Sequence, residues 1–390
     1  MLPKKIISLI IYGVLSLTMA YASNPWLKKT LRYANPDSVL VWGYDGHDCR
    51  SMALKTYADA AVYPISLTQK EWKERKEIYR SWLSSEKDMG LDGAPLSQTA
   101  SSPMLSVAKH ITQAAQLFRM QGDARYADYI ERSLFNSVMH SLNDSVQPKG
   151  SIDRQVAANL LFTLPGFIYA TSADGDVYVN LYTNSTASLA AGKTHFSLDQ
   201  ITDMPLNGRV KLRFNNLKQG THLRLHLRVP EWLKMRPNAK YRYVSPDSLT
   251  PSLFVNGHEI EPLEVDEKGY VVIDREWQAL DEVYLDMPLQ AQYVVENGGE
   301  KKVNLPLTLR NEVALQFGPL SYQVKAKGYS TRTDWGITMG NEMSSSGFPK
   351  LRLPLCKNNV NEQENSPHPA LYEVLPFADG KNILSNEATK

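Results

Sequence analysis

Cysteine is scarce in this chain of 390 residues, which contains only Cys49 and Cys356, more than 300 positions apart. Two such distant thiols exclude a disulfide framework, and no CxxC or HExxH pattern marks a zinc site. The two thiols can form a single disulfide in an oxidising compartment or remain reduced. The sequence leaves both alternatives open and predicts no metal and no cofactor.

A large excess of charge of one sign is also absent. The chain has 43 Lys and Arg residues and 41 Asp and Glu residues, for a formal net charge of +2. A chain without a basic surplus offers no general surface for polyanions. We therefore predict no nucleic-acid partner and expect neutral molecules or proteins instead.

Long apolar runs are missing except near the first residue. Lys4 and Lys5 precede the apolar run from Ile6 to Ala20, and small residues flank Tyr21. This run is shorter than the ~20 residues that span a membrane. It predicts a signal peptide over residues 1–22, hence a periplasmic or secreted protein without a membrane partner after cleavage. An uncleaved anchor is the alternative.

Residues 101–166 have helical periodicity, after a mixed region over 23–100. One apolar stripe runs from Met104 to Phe118, and a second has a spacing of four from Tyr126 to Leu142. Gly122 and Asp123 between them predict a left-handed helix end followed by an N-cap. A third helix is expected over about 153–164, ending at Pro165-Gly166.

Residues 167–325 change to a period of two. In the clearest strand, 222–229, Leu and Val alternate with His and Arg. This alternation predicts one buried face and one solvent-exposed face. Further strands are expected at 177–182, 210–214, 253–255, 269–274, 282–287 and 313–317. The segment 326–390 is a C-terminal extension, predicted to be partly disordered after Asn358. The fold class is therefore α+β multidomain, with a helical part followed by antiparallel β-sandwich domains.

Few residues stand out as candidates for chemistry. Asp153 is a tentative catalytic carboxylate, although it also suits an N-cap. Trp232 and Trp277 can stack on sugars or simply pack at strand ends. His222 and His226 lie four apart on an extended strand, too far apart to share an ion, and are expected to be solvated or to face another domain.

Three acidic residues near the second helix have a different expectation. Asp123, Asp128 and Glu131 are predicted to lie on exposed helical faces, in capping or solvating roles.

Several motifs together resemble glycoside hydrolase family 127 (GH127), the β-L-arabinofuranosidase-like proteins. The stretch from Gly122 to Asn136 resembles a late helix of its barrel, and 164–170 with 177–182 resembles its passage into a β-sandwich. Three later segments, 254–257, 269–277 and 313–320, are similar to its C-terminal part. The likeness covers about residues 104–324.

The resemblance implies that the helical part is incomplete and α/α-barrel-like, because members of the family have an (α/α)6 barrel. In that barrel one glutamate and three cysteines bind zinc, one of the thiolates being the nucleophile. Counting from Asp123 and Gly166 places the four ligand positions at Pro103, Leu105, Ile152 and Asp153. None is the expected residue, and no cysteine lies between Cys49 and Cys356. A thiolate nucleophile needs a lowered pKa, so this chemistry is not expected here.

The main hypothesis is a truncated family member without the thiol–zinc chemistry, either a carbohydrate-associated pseudoenzyme that contacts plant-type or other glycans or a decayed remnant. A second hypothesis is an active glycoside hydrolase that uses a carboxylate pair, perhaps with Asp153 as one member. A third is a binding or assembly module whose open helical face docks on a protein partner.

Overall fold

The computed structural model describes residues 39–42, 53–55, 61–62, 77, 79–82, 90, 93, 102–143, 151–163, 165–172, 174–233, 241–244, 249–296, 307–358, 369–380 and 382–385. The predicted signal peptide and Cys49 lie outside these ranges, so signal cleavage and the Cys49–Cys356 pairing stay predictions. Cys356 lies buried in a strand, and burial raises the pKa of its thiol.

The first two predicted helices and the break between them are confirmed. Helix α1 (Pro103–Gln121) begins at the N-cap Ser102 and ends at Gly122, whose φ of 63° is left-handed and whose N–H donates to the carbonyl of Phe118 at 2.6 Å. Asp123 then caps helix α2 (Ala124–Ser133) by accepting the N–H of Arg125 at 3.0 Å. Glycine is needed at 122 because a Cβ is strained in the left-handed region.

Helix α2 continues through a π-helical turn (Leu134–Val138) into helix α3 (Met139–Leu142). The apolar spacing of four exceeds the 3.6 residues of an α-helical turn, so the stripe would drift by about 40° per repeat in a regular helix. The wider π turn reduces this drift. Val138 is consequently fully buried, and Leu142 still packs against the core.

The third predicted helix is also present, as helix α4 (Ile152–Thr163). Pro165 and Gly166 do not end helical structure outright, because they form the short helix α5 (Pro165–Ile168). Proline suits the first turn of a helix, where its missing N–H has no intrahelical partner.

The remaining described chain is almost entirely β-structure. Its strands are β1 (Val39–Trp42), β2 (Ala53–Lys55), β3 (Ala61–Val62), β4 (Tyr169–Thr171), β5 (Asp176–Val179), β6 (Ser185–Ala191), β7 (Thr194–Thr202), β8 (Arg209–Asn215), β9 (Thr221–Arg228), β10 (Tyr241–Val244), β11 (Ser252–Val255), β12 (His258–Glu259), β13 (Tyr270–Trp277), β14 (Glu282–Asp286), β15 (Ala291–Glu296), β16 (Thr308–Phe317), β17 (Leu320–Arg332), β18 (Thr338–Met343), β19 (Pro349–Lys357), β20 (Ala370–Val374) and β21 (Asn382–Ser385). Each strand expected from the period of two is present, within a few residues of its predicted bounds.

The strands form three sheets. The first sheet has the order β13-β9-β5-β4-β3, and the second has the order β12-β11-β14-β8-β7-β6-β1-β2. Their apolar faces share one core, in which the ring centroids of Phe214 and Trp277 lie 4.6 Å apart. The third sheet, β10-β15-β16-β17-β19-β18, pairs with β20 and β21 and encloses a core of its own. The predicted sandwich is thus confirmed.

One sequence-based expectation needs correction. The mixed region 23–100 contributes the short strands β1, β2 and β3, which were not predicted from the sequence. The described part of the segment after Asn358 contributes β20 and β21 to the third sheet, and the partial disorder of this segment stays a prediction. In addition, three strand pairs, β3–β4, β5–β9 and β17–β21, are parallel within otherwise antiparallel sheets.

Candidate functional site at the helix–sheet junction

The helices pack on the face of the first sheet that points away from the second sheet. Phe118 of α1 makes an edge-to-face contact with Tyr178 of β5, with ring centroids 6.1 Å apart. Farther along, the π-helical turn reaches the third sheet through Asn136. Its amide donates to the carbonyl of Pro319 at 2.9 Å and accepts the N–H of Ser321 at 2.8 Å. The helical segment therefore joins two sheets.

A buried ionic cluster holds helix α2 on the first sheet. Arg228 of β9 donates to Asp128 at 2.5 Å and to Glu131, and it is 0 % exposed. Next to it, Arg132 donates to Glu231 at 2.5 Å. Burial by itself would lower the pKa of the Arg228 guanidinium, but Glu131 and Asp128 outweigh it and raise that pKa. Arg228 thus remains charged, whereas burial raises the pKa of Glu131 even though the charge of Arg228 acts in the opposite direction.

This cluster overturns two expectations. Asp128 and Glu131 were predicted on exposed helical faces, yet they are 6 % and 3 % exposed. Arg228 was predicted on the solvent-exposed face of its strand, but helix α2 covers that face at the C-terminal end of β9. The sequence offers one signal for the burial of the two acids, because the apolar residues Tyr126, Tyr129 and Ile130 lie on both sides of them. In the structure nine of the ten residues of α2 are buried. A helix that is buried all round has no exposed face for solvated carboxylates.

Farther along the same face of the first sheet, Asp176 is the centre of a second polar group. It accepts hydrogen bonds from Ser172 at 2.6 Å, His226 at 3.0 Å and Arg224 at 2.6 Å. Burial would raise the pKa of Asp176, but the hydrogen bonds from His226 and Ser172 and the charge of His226 lower it to about 2. A carboxylate held this firmly in its ionised form is a poor proton donor.

The two candidate histidines have different surroundings. The side chain of His222 is 63 % exposed and lies 2.8 Å from Asp274. The side chain of His226 is only 12 % exposed, and its ring stacks on Tyr178 with centroids 4.1 Å apart. His226 is therefore packed rather than solvated, because the end of helix α1 approaches this part of the sheet.

Asp153 lies at a joint between two helices. Its Oδ1 accepts hydrogen bonds from the Ser102 hydroxyl and, at 3.3 Å, from the N–H of Met104. Ser102 is the N-cap of α1, so Asp153 of α4 extends the cap of a neighbouring helix instead of capping its own. Its own helix is capped by Ser151, whose hydroxyl accepts the N–H of Arg154 at 3.3 Å. The geometry favours a capping role for Asp153, and a catalytic role stays a prediction.

Trp232 and Trp277 are packed in the interior, at 3 % and 1 % exposed. The indole N–H of Trp232 donates to Glu131 at 3.3 Å, and that of Trp277 donates to the carbonyl of Leu223 at 3.0 Å. Neither indole offers a face to a sugar, which corrects their tentative assignment to substrate binding. The packing alternative explains both, because each ring fills a core and satisfies its single donor.

Comparisons with known proteins agree with this architecture. Residues 176–289, from β5 to just beyond β14, match the family model described as beta-L-arabinofuranosidase, GH127 middle domain. The chain has a GH127-like fold. No curated protein sequence matches the chain.

Several solved structures are similar to it. A GH127 beta-arabinofuranosidase has 20% identity and a TM-score of 0.59, with 75% of this chain and 52% of that chain covered. A GH127 beta-L-arabinofuranosidase from Geobacillus stearothermophilus T6 has 17% identity and a TM-score of 0.56, with 76% and 54% covered. A protein described as a glycoside hydrolase has 16% identity and a TM-score of 0.53, with 76% and 60% covered. The chain thus spans little more than half the length of these relatives.

The GH127-like fold implies a zinc ion, and the residues at its expected positions do not fit one. Pro103 and Leu105 belong to the first turn of α1, and Ile152 and Asp153 begin α4. The hydrogen bond between Ser102 and Asp153 brings the two segments together, as a shared site requires. Of these four side chains only Asp153 can ligate a metal, and it is already bonded to the cap of α1. Among the described residues, no three His, Cys, Asp or Glu side chains form a group that could hold a metal.

Proposed function

We propose that this chain is a GH127-like protein of carbohydrate metabolism that acts without the cysteine–zinc chemistry of an arabinofuranosidase. The observation that carries the proposal is the joint at Ser102 and Asp153. It supports the assignment of the ligand positions from the sequence, since the two segments meet in space. Among its described residues the joint contains neither a thiol nor a second carboxylate. We propose that such a chain binds glycan, as a pseudoenzyme, rather than cleaves it.

The test is hydrolysis by the purified full chain. A chromogenic β-L-arabinofuranoside is incubated with the protein, with added zinc or with a chelator, beside the Geobacillus stearothermophilus GH127 enzyme as the active control. We expect no release of arabinose above the rate without protein under either condition. Zinc-dependent release that the chelator abolishes would overturn the proposal.

A second candidate function is docking of a protein partner on the helical face. The specific observation is that Leu105 and Ile152, beside the joint, are 48 % and 62 % exposed. Large apolar side chains at two adjacent helix starts favour contact with another polypeptide. Light scattering of the purified chain, and of the Leu105→Asp and Ile152→Asp variants, tests self-association through this face. A monodisperse monomer that the variants leave unchanged would argue against that form of docking.

We also propose export to the periplasm or the medium, on the basis of the basic and apolar pattern of residues 1–22. Within the described residues no helix is long and apolar enough to cross a membrane. N-terminal sequencing of the protein from a periplasmic extract tests the export. We expect the mature chain to begin at Ser23, and an intact Met1 in the membrane fraction would support the anchor instead.

A further inference from the structure

We propose that an aromatic pair on the outer face of the second sheet, Phe254 of β11 and Tyr284 of β14, binds a neutral glycan chain. This inference deepens the proposed function and rests on it, because it names a surface that would hold the carbohydrate. The two residues stand directly opposite each other in the antiparallel register. Their ring centroids lie 6.4 Å apart, and their planes are inclined by 60°. We call this pair and its flanking charges the platform.

The platform lies on a face that the described part of the chain leaves open. Along β8 and β14 the inward side chains are buried, whereas the outward ones are half-buried or exposed. Leu253 and Leu285, the sequence neighbours of Phe254 and Tyr284, point to the opposite face. They are buried in the core, with 0 % and 2 % of their surface exposed. Phe254 and Tyr284 themselves are half-buried, so part of each residue remains accessible on this outward face.

Charged side chains flank the two rings in opposite pairs. Lys211 stands directly opposite Tyr284, and its Nζ lies 2.7 Å from Glu282. The Arg213 guanidinium lies 3.1 Å from Asp199, and that of Arg209 lies 3.9 Å from Asp286. The platform therefore has hydrogen-bond donors and acceptors around an apolar centre, with three positive and three negative groups in balance.

This chemistry matches a sugar better than other ligands. A sugar ring presents C–H groups on its face, which pack on an aromatic ring, and hydroxyls at its edge, which both donate and accept hydrogen bonds. Balanced charges give no field that would select an anionic or cationic ligand. An outward sheet face suits an extended chain of sugar units rather than one enclosed monosaccharide. The expected ligand is therefore a neutral polysaccharide.

The experiment is affinity electrophoresis of the full chain through native gels that contain arabinan, arabinoxylan or the acidic polygalacturonate. We expect retardation by at least one neutral polysaccharide. Phe254→Leu and Tyr284→Leu keep apolar bulk but remove the flat ring, so each should raise the apparent Kd at least tenfold, whereas Tyr284→Phe should leave it within about twofold. Tyr372→Leu, which changes a half-buried aromatic residue of the third sheet, serves as the matched control and should bind like the parent chain.

Circular dichroism and thermal melting establish that each variant is folded before binding is compared. The platform is overturned if no neutral polysaccharide retards the chain, if only polygalacturonate does, or if the two leucine variants migrate like the parent. Dimerisation that both leucine variants abolish would assign this face to a second copy of the chain and would also overturn it. Zinc-dependent arabinose release together with ring-dependent retardation would instead refute the proposed function and leave the platform standing.

Discussion

Arg228 and Asp128 lie 100 residues apart in the sequence, yet the guanidinium Nη1 is 2.5 Å from the carboxylate Oδ1 in the fold. The contact joins the last residue of a central strand to the middle of helix α2. It is completely buried, and a second carboxylate, Glu131, shares the same guanidinium. The position of the helices relative to the first sheet thus depends on the charge of one side chain.

Arg228→Met should destabilise the protein strongly. The substitution keeps much of the apolar volume but leaves two carboxylates buried without their cation, which costs about 3–5 kcal/mol in comparable buried pairs. Urea unfolding followed by circular dichroism measures the loss. The matched control is Arg332→Met, because Arg332 makes an ion pair with Asp334 in which both side chains are about half exposed. That variant should lose little stability, because solvent screens an exposed ion pair, and equal losses in the two variants would contradict the role of burial.

The joint between helices α1 and α4 predicts coupled effects of substitution. Asp153→Ala and Ser102→Ala each remove part of one N-cap, and each should lower the free energy of unfolding by about 0.5–2 kcal/mol. Because the two side chains share a hydrogen bond, the double variant should lose less than the sum of the single losses. A double-mutant cycle in urea measures this difference. Strict additivity would show that the two groups act independently.

Stability should fall at acid pH partly because of Asp176. The pKa of this carboxyl is lowered to about 2 in the folded chain from an ordinary value of 3.8. A lowered pKa contributes stability that is fully present above the unfolded value and disappears as the pH falls through the folded value. The effect has an upper limit of about 2.5 kcal/mol, since the two pKa values differ by about 1.8 and one pKa unit corresponds to about 1.4 kcal/mol.

Asp176→Asn should therefore flatten the decline in stability between about pH 5 and pH 2. Unfolding curves at a series of pH values compare it with the parent chain. Asp286→Asn is the control, because Asp286 is 41 % exposed and lies 3.9 Å from its only described ionic partner. If Asp176→Asn declined as steeply as the parent chain, the hydrogen bonds from His226 and Ser172 would not be stabilising the charged form.

Gly122→Ala should destabilise the turn between α1 and α2. At a φ of 63° an added Cβ meets the following carbonyl, at a cost of roughly 1–2 kcal/mol. Gly336→Ala is the matched control, because Gly336 lacks a positive φ and has open space around its Cβ position. Thermal melting should show a clear decrease for the first variant and little change for the second. A melting temperature that Gly122→Ala leaves unchanged would mean that the helix does not need a left-handed end.

Local sequence signals predicted the helices and strands. Contacts between distant segments determined which side chains form the buried ionic cluster. Gly122 and Asp123 mark a helix boundary through their own backbone preferences, so their roles could be read directly from the sequence. The alternation in β9 gave the two faces of the strand. It could not reveal that α2 covers the end of the polar face, because that depends on a pairing across about 100 positions. The burial of Arg228, Asp128 and Glu131 was therefore missed.

Aromatic residues show the same limit. Trp232, Trp277, Phe254 and Tyr284 all border or occupy strands, and composition does not distinguish them. The register decides which ones face a core and which face outward. It places Trp277 inside and the Phe254–Tyr284 pair on an outward face. Trp232 lies in the turn after β9 and is buried there.

The π-helical turn at 134–138 makes the length of this helix critical. Deleting one residue there would restore regular α-helix and rotate everything beyond it by about 100°, with a shift of about 1.5 Å. His140 would then leave the carbonyl of Phe377, and Asn143 would leave that of Ala378. The extra residue thus acts as a spacer that sets where the helix meets the C-terminal segment. A deletion of one residue in this turn should consequently break both contacts with the C-terminal segment.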